Sequence, residues 1–378
     1  MRIGVARETT AGESRVALVP ESGKKLIQAG YEVSIEAGAG AAAGFPDAAY
    51  RDAGVALETG AAAVGAADLV LKVTAPEQHE IAGMRPGSIW LGSLMPLRNL
   101  AAVRALATRG VTAFSTDAIP RTTRAQSMDT LSSMASIAGY KGALLAATEL
   151  NKYFPMLMTA AGMVPPARVF VIGAAVAGLQ AIATARRLGA NVFATDVRPE
   201  VKEQIESVGA KYVGIELKDT ASAGGGYARE LTDQDRARQR ELLAAQCALS
   251  DVVITTALIG GVFAPKLLSG EMVKGMRPGT VIVDLAADGG GNCDLSRPGE
   301  TVVVHDVRIV APLNLAATMP LHASLLFSRN LAAFVQAFTK DKAFRLDFTD
   351  DIQQGAAITH DGEVKHAPTR DALQKAGV

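Results

Sequence analysis

Short apolar runs alternate with helix-like patterns along most of the chain, and this alternation predicts strands covered by helices. Runs that predict strands occupy residues 3–6, 32–36, 69–73, 89–91, 112–115, 169–172, 192–194, 212–215, 252–255, 281–285, 302–305 and 309–310. Helical patterns occupy residues 21–29, 47–53, 97–109, 129–153, 179–188 and 321–338. Strands that alternate with helices in this way are typical of a parallel α/β fold.

Residues 168–198 combine a strand, a turn of small residues, a helix and a second strand. Such a unit binds half of a dinucleotide, because the free N–H groups at the start of the helix face the pyrophosphate. Gly173 allows a sharp turn off the strand, and Gly178 lets the helix pack close to the sheet. Asp196, 18 residues after Gly178, is expected to accept the ribose hydroxyls of NAD and to repel a 2′-phosphate. Ala175 replaces the middle glycine of the G-x-G-x-x-G fingerprint, so the fingerprint is incomplete.

The predicted fold class is α/β, with two doubly wound Rossmann-like domains joined by long helices. A chain of 378 residues suits two domains of ordinary size. We predict a discontinuous N-terminal domain, residues 1–136 plus 322–378, and an NAD(H)-binding domain, residues 137–321. The strands of the second domain predict a sheet close to the six-stranded parallel sheet of a full dinucleotide domain. Two glycine-rich segments, 221–227 and 288–292, are expected to be mobile loops.

Composition excludes several other classes of protein. The 38 basic and 38 acidic residues balance, which gives no reason to expect binding to nucleic acid or to a charged membrane surface. Cys247 and Cys293 are too few for a disulfide framework and are expected to be buried thiols. The chain starts directly with a strand-like run, so no signal peptide is expected, and no apolar run approaches the ~20 residues of a membrane-spanning helix.

The segment 121–132, RTTRAQSMDTLS, is the second candidate for chemistry. Asp129 and Ser132 suit the start of the long helix, where they would cap free N–H groups. Capping leaves Arg121, Arg124 and Gln126 unexplained, and their donors and acceptors suit a carboxamide and ribose hydroxyls. We therefore interpret the segment as a cofactor-binding loop.

Acid–base chemistry is poorly represented. A dehydrogenase that oxidises an alcohol or amine needs a proton carrier beside the nicotinamide, and none of the five histidines follows the strands 69–73 or 89–91. Lys72 is the remaining candidate, and we interpret it as an edge lysine that reaches the surface. No metal-binding pattern occurs. Hydride transfer between two nicotinamides needs neither acid, base nor metal, only two aligned rings.

The motifs RTTRAQSMDTLSS, MTAAGMVPPARVFVIG, ATDVRPEVKEQIESVGAKYV, DVVITTALI and VIVDLAADGGGNC together carry a family resemblance. The chain resembles the soluble NAD(H)-binding component of the proton-translocating NAD(P) transhydrogenases, which is the alpha subunit in its split form. The motifs MRIGVARE and ESRVALVPES are also similar to those of the alanine dehydrogenases. The resemblance implies hydride exchange between NAD(H) and NADP(H) held by a partner subunit. It also implies a homodimer on the cytoplasmic face of the inner membrane, with a separate membrane-spanning alpha component and an NADP(H)-binding beta subunit.

The resemblance also implies roles for individual residues. Arg121, Asp129 and Ser132 would hold the NAD(H) nicotinamide as part of the catalytic site. Gln126 would reach toward the NADP(H) of the partner. The cofactor-binding residues implied in this loop are Arg121, Thr122, Thr123, Arg124, Gln126, Ser127, Met128, Asp129, Thr130, Leu131 and Ser132. Those implied in the second domain are Gly173, Ala175, Val176, Gly178, Asp196, Val197, Arg198, Gly226, Tyr227, Gln239, Ala257 and Leu258.

Departures from the family pattern keep two alternatives open. Ala175 and the stretches 260–265 and 312–316 differ from the pattern. One alternative is an alanine-type amino-acid dehydrogenase, which would share Arg15 but normally has a histidine after a strand near Leu91. The other is a non-catalytic NAD-binding relative, for which Ala175 is the main support.

Overall fold

The computed structural model describes residues 1–60, 65–198, 200–214, 232–258 and 263–376. The predicted mobile segment 221–227, with Gly226 and Tyr227, and part of the stretch 260–265 lie outside the described residues. The described chain divides into two compact units, residues 1–134 with 317–378 and residues 135–316. The domain limits expected from the sequence stay a prediction.

Strands and helices are numbered in chain order. The strands are β1 (Arg2–Val5), β2 (Glu32–Glu36), β3 (Ala56–Glu58), β4 (Leu69–Leu71), β5 (Ile89–Gly92), β6 (Thr112–Ser115), β7 (Leu157–Thr159), β8 (Gly162–Val164), β9 (Arg168–Ile172), β10 (Asn191–Thr195), β11 (Lys211–Tyr212), β12 (Val252–Thr255), β13 (Val281–Asp284), β14 (Thr301–Val304), β15 (Val307–Val310), β16 (Thr339–Lys340), β17 (Ala343–Phe344), β18 (Ala357–His360) and β19 (Glu363–Val364). Among the described residues, the helices are α1 (Pro20–Gln28), α2 (Asp47–Asp52), α3 (Gln78–Gly83), α4 (Leu100–Thr108), α5 (Thr130–Glu149), α6 (Val176–Arg187), α7 (Val201–Ser207), α8 (Asp233–Leu249), α9 (Gly270–Lys274), α10 (Pro320–Ala337), α11 (Asp351–Ala356) and α12 (Ala367–Lys375).

The first unit contains an eight-stranded sheet in the order β19-β18-β6-β5-β4-β1-β2-β3. Strands β1 to β6 are parallel, whereas β18 and β19 add an antiparallel edge. Because β1 lies between β2 and β4, the strand order reverses at β1, which is where α/β sheets open a crevice at their carboxyl edge. Phe114 of β6 packs on Phe334 of α10 with ring centroids 5.5 Å apart. Helix α10 therefore closes one face of this sheet.

The second unit contains a seven-stranded sheet in the order β11-β10-β9-β12-β13-β15-β14. Six strands are parallel, as the sequence indicated, and β14 adds an edge strand that runs antiparallel to β15. Only His305 and Asp306 separate the two strands, and both have positive φ (53° and 59°). A two-residue turn of this kind connects antiparallel strands. The doubly wound α/β fold class is confirmed.

Helix α5 ends earlier than predicted and a hairpin follows it. The helix stops at Glu149, and β7 pairs with β8 before Pro165. Two apolar side chains of this hairpin are exposed, Met158 to 73% and Met163 to 63%. Local sequence does not reveal this exposure, because it depends on what packs against the hairpin.

The glycine-rich segment 288–292 forms a turn whose last two residues are buried, and its mobility stays a prediction. A short 3₁₀ helix, Ala287–Gly289, leads into Gly290 and Gly291, whose φ values of 98° and 80° favour glycine. Asn292 at its end is fully buried. The two glycines therefore allow a backbone conformation that other residues disfavour.

Both cysteines are buried, which confirms that part of the expectation. Burial raises the pKa of Cys247 to about 12, so the thiol stays protonated at neutral pH. Within the described ranges, no helix is long and apolar enough to cross a membrane.

Candidate functional site

The turn between β9 and α6 requires both of its flanking glycines. Gly173 has a φ of 90°, in the left-handed region that side chains disfavour. A Cβ on Gly178 would lie 1.9 Å from the carbonyl oxygen of Gly173, which no side chain permits. The strand and helix thus approach each other as closely as the dinucleotide interpretation requires.

Ala175 immediately precedes α6 and is exposed. Its backbone (φ −78°, ψ −164°) is extended, so this position does not itself demand glycine. The first N–H groups of α6 have no partner within the helix, and the helix dipole makes this end electropositive. The turn therefore suits an anionic group such as a pyrophosphate even with the methyl of Ala175 present.

Asp196 follows β10 and is tied to the same turn. Its Oδ2 accepts a hydrogen bond of 2.8 Å from the N–H of Ala174. Arg198 donates from Nε to Oδ1 at 2.9 Å and from Nη2 to Oδ2 at 3.0 Å. This hydrogen bonding, as the largest contribution, raises the pKa of Arg198 above its ordinary value. The sequence placed both Asp196 and Arg198 among the cofactor-binding residues, but it did not indicate that the two side chains bond to each other.

The loop after β12 meets the turn from the other side. Thr256 Oγ1 donates to the carbonyl oxygen of Gly173 at 2.9 Å. Leu258 and Val176 are each 40% exposed although both are apolar, which suits side chains that line a ligand. Thr256 was not among the residues expected from the sequence, and only its place next to Ala257 and Leu258 pointed to it. Gln239 lies half-buried on α8, and its role stays a prediction.

The segment 121–132 lies in the first unit, where buried side chains and a hydrogen bond to its backbone hold it in place. It forms a 3₁₀ helix, Thr123–Met128, that runs into α5. Ala125 and Met128 are buried in the core of the first unit. Asn330 of α10 donates from Nδ2 to the carbonyl oxygen of Ser127 at 2.7 Å. No motif indicated Asn330, which is 203 positions away in the chain.

Asp129 and Arg124 of this segment are engaged by other side chains of the protein. Asp129 accepts hydrogen bonds from Ser132 N at 2.8 Å and Ser132 Oγ at 2.6 Å, so it caps α5 as the simpler interpretation proposed. Arg124 forms ion pairs with Asp350 and Asp351 at the start of α11. These contacts account for both residues without a ligand, and their cofactor roles stay predictions.

Arg121 and Gln126 differ from these neighbours. Both are exposed, and no hydrogen bond of either side chain occurs within the part of the chain that the structure describes. Thr122, Thr123 and Ser127 are also exposed, whereas Thr130 is buried and Leu131 half-buried. Free donors and acceptors above a fixed backbone are what binding a polar ligand needs.

Lys72 is buried, contrary to the prediction that it reaches the surface. It follows β4 with a side chain only 1% exposed, and its Nζ lies 3.2 Å from Glu8 and 3.1 Å from Glu80. Burial lowers the pKa of Lys72, but the charges of the two carboxylates outweigh it and raise the pKa overall. The snorkelling interpretation is wrong because these partners come from elsewhere in the chain. A lysine held in this way is not available to carry a proton to a substrate.

The chemistry of the second unit fits a dinucleotide. Cβ atoms at Gly173 and Gly178 would fill the approach to α6, and Asp196 is held beside it. The first turn of α6 carries no acidic residue that would repel a phosphate. A helix N-terminus for the pyrophosphate and a fixed carboxylate for a ribose are thus found at one sheet edge.

Comparisons with known proteins agree with this geometry. The family model described as Alanine dehydrogenase/PNT, N-terminal domain, matches residues 4–138, and the model described as Alanine dehydrogenase/PNT, C-terminal domain, matches residues 142–367. An NAD(P) transhydrogenase subunit alpha component of Rhodospirillum rubrum is 45% identical over 378 residues, which cover 97% of this chain and 98% of that protein. Alanine dehydrogenase of Mycobacterium tuberculosis is 32% identical over 328 residues, covering 85% of this chain and 82% of that protein.

A solved structure is also similar over nearly the whole chain. The crystal structure of transhydrogenase from Sinorhizobium meliloti superimposes with a TM-score of 0.88 at 44% sequence identity. The match covers 96% of this chain and 100% of that one. The chain therefore belongs to the alanine dehydrogenase/PNT family, and within it to the NAD(P) transhydrogenase alpha subunits.

Proposed function

We propose that this chain is the NAD(H)-binding component of a transhydrogenase that exchanges hydride between NAD(H) and NADP(H) held by a partner subunit. The observation that carries the proposal is the turn before α6, with Gly173 and Gly178 in close contact and Asp196 held beside it. The family membership and the transhydrogenase relatives support the same cofactor.

Each group of residues has a separate task in this proposal. The N-terminus of α6 binds the pyrophosphate, and Asp196 binds the adenosine ribose. Arg121, with Asp129 and Ser132, orients the nicotinamide, while Gln126 extends toward the NADP(H) of the partner. When bound, NADH would donate the hydride and NAD would accept it. The chain's contribution is orientation, which accelerates a transfer that needs no proton carrier.

The buried pairing of Lys72 supports this proposal over an alanine-type dehydrogenase. Such an enzyme must move a proton, and Lys72 was the remaining candidate in the sequence. Its ammonium group is engaged by Glu8 and Glu80. An exchange between two nicotinamides leaves no task that this lysine would have to perform.

The proposal includes an assembly. A homodimer would associate with a membrane-spanning alpha component and an NADP(H)-binding beta subunit at the cytoplasmic face of the inner membrane. The exposed methionines of the β7–β8 hairpin support coverage by a second copy, since an isolated two-stranded hairpin is marginally stable in water. Light scattering of the purified chain measures the dimer directly.

The test of the proposed function mixes the purified chain with the NADP(H)-binding subunit of a transhydrogenase. Reduction of an NAD analogue by NADPH is followed, with alanine plus NAD as the control reaction. We expect turnover with the partner and none with alanine. Turnover with alanine alone would overturn the proposal, and NAD binding without either reaction would favour a non-catalytic relative.

A further inference from the structure

Asn292 uses its buried side chain to hold the loop after β12. The residue is fully buried at the end of the glycine-rich turn. Its Oδ1 accepts from the N–H of Ala257 at 3.0 Å, and its Nδ2 donates to the carbonyl oxygens of Ala257 and Pro265, both at 2.8 Å. The amide therefore pairs with Ala257 as a neighbouring strand would. Both of its donors are used.

Asp284 fixes the segment that carries Asn292. This fully buried carboxylate accepts from Cys293 N at 3.1 Å and from Ser296 Oγ at 2.6 Å. It also accepts from Thr255 Oγ1 at 3.0 Å, at the end of β12. A Cβ on Gly291 would lie 2.7 Å from the same carboxylate. Through Asp284, the backbone that follows Asn292 is therefore bonded to the end of β12.

The loop held by Asn292 lies across the strand-order reversal from Asp196. Strand β9 is flanked by β10, which leads to Asp196, and by β12, which leads to Ala257. A dinucleotide bound at such a reversal places one half on each side. If the adenosine ribose is at Asp196, the opposite half lies over the loop that contains Ala257 and Leu258.

We propose that Asn292 is a positioning residue for the nicotinamide half of the bound dinucleotide, acting through the backbone of Ala257. This inference rests on the proposed function, because it assumes that NAD(H) binds at this sheet edge. Asn292 itself does not touch the ligand. It fixes the loop that presents Leu258, an apolar side chain that stays exposed in the structure.

The experiment compares two ligands on the intact chain. In Asn292→Asp, a carboxylate cannot donate to the carbonyl oxygens of Ala257 and Pro265, and it faces both of them. Calorimetric titration measures Kd for NADH and for AMP, which carries only the adenosine half. We expect Kd for NADH to rise at least about tenfold and Kd for AMP to stay within about twofold.

Matched variants separate positioning from general destabilisation. Gln353→Glu makes the same chemical change at a buried amide of the first unit, which bonds Arg345 O at 2.9 Å and Asp347 N at 3.1 Å. It should leave both dissociation constants unchanged. Asn292→Ala introduces no buried charge and provides the same two-ligand comparison if the aspartate variant does not fold. Thermal melting of each variant reports its folding.

The two dissociation constants of each variant decide between these roles. A selective loss of NADH binding supports the positioning role. Equal loss of NADH and AMP, or no loss of NADH, would overturn it. Failure of the wild-type chain to bind either ligand would instead overturn the proposed function on which the inference rests.

Discussion

The guanidinium of Arg198 donates to both carboxylate oxygens of Asp196, at 2.9 and 3.0 Å, while Ala174 N binds the carboxylate at 2.8 Å. The carboxylate is therefore oriented before any ribose arrives. Its charge is also compensated, because an arginine contacts it directly. A neutralised carboxylate repels a 2′-phosphate less strongly than a free one, so Arg198 is expected to influence the choice between NADH and NADPH.

Replacing Arg198 with alanine should strengthen the preference for NADH over NADPH. Two opposite charges at contact are worth about 1 kcal/mol in water and about 4 kcal/mol at an effective dielectric of 20. The ratio of Kd for NADPH to Kd for NADH should accordingly rise about fivefold or more, as measured by calorimetric titration. Arg187→Ala removes an exposed arginine of α6 and should leave the ratio unchanged. An unchanged or lower ratio in Arg198→Ala would contradict this role.

Lys72→Met should destabilise the first unit strongly at neutral pH. The variant leaves the buried carboxylates of Glu8 and Glu80 without their cation. Breaking a buried ion pair from one side typically costs ~3–5 kcal/mol of unfolding free energy. Urea unfolding measures the loss. Lys365→Met, which removes an exposed ion pair with Glu363, should change stability by less than about 0.5 kcal/mol.

The same variant should recover part of its stability in acid. Burial already raises the pKa of Glu8 in the wild-type protein, despite the opposing charge of Lys72. Without Lys72, the folded-state pKa of Glu8 rises further above its unfolded value. Such a group stabilises the fold below its unfolded pKa, and this contribution is lost as pH rises through the folded pKa. The deficit of Lys72→Met should therefore be smaller at pH 5 than at pH 7.5. A deficit that grows in acid would show that the carboxylates are not its cause.

The sequence predicted several strands well. Strands β2, β6 and β12 match their predicted bounds, and the middle residues of each strand are buried. The antiparallel direction of β14 was missed, since an apolar run does not reveal its direction within a sheet. The β7–β8 hairpin was missed for a related reason: apolar residues indicate burial even where the folded chain leaves them exposed.

The candidate site was predicted only as far as local motifs extend. Gly173, Gly178 and Asp196 belong to one short unit whose spacing reflects its geometry. Other contacts that hold the candidate site join parts of the chain that are distant in sequence. Thr256 bonds Gly173 of the turn, Asn292 bonds the backbone of Ala257 in the loop after β12, and Asn330 reaches Ser127 across 203 positions. Contacts of that kind leave no periodic trace in a sequence.

Gln126→Asn should slow hydride exchange while leaving NADH affinity almost unchanged. The side chain of Gln126 is exposed and is proposed to reach the nucleotide of the partner, so shortening it affects that contact alone. Loss of one hydrogen bond of about 1 kcal/mol corresponds to roughly a fivefold lower rate. Rates with NADPH and an NAD analogue are compared with Kd for NADH. Gln354→Asn, at an exposed position of α11, is the control. Equal losses of rate and NADH affinity would refute this role.

Ala175→Gly should strengthen NADH binding modestly. The residue is exposed at the start of α6 with extended backbone, so glycine fits there without altering the turn. Removing the methyl allows the pyrophosphate to approach the free N–H groups more closely, and glycine also exceeds alanine in preference for this helix-start position. We expect Kd for NADH to fall about two- to fivefold, measured by calorimetric titration. Ala161→Gly, in the exposed turn of the β7–β8 hairpin, should not change Kd. If Ala175→Gly leaves Kd unchanged, the methyl lies outside the path of the pyrophosphate, and the incomplete fingerprint has no consequence for affinity.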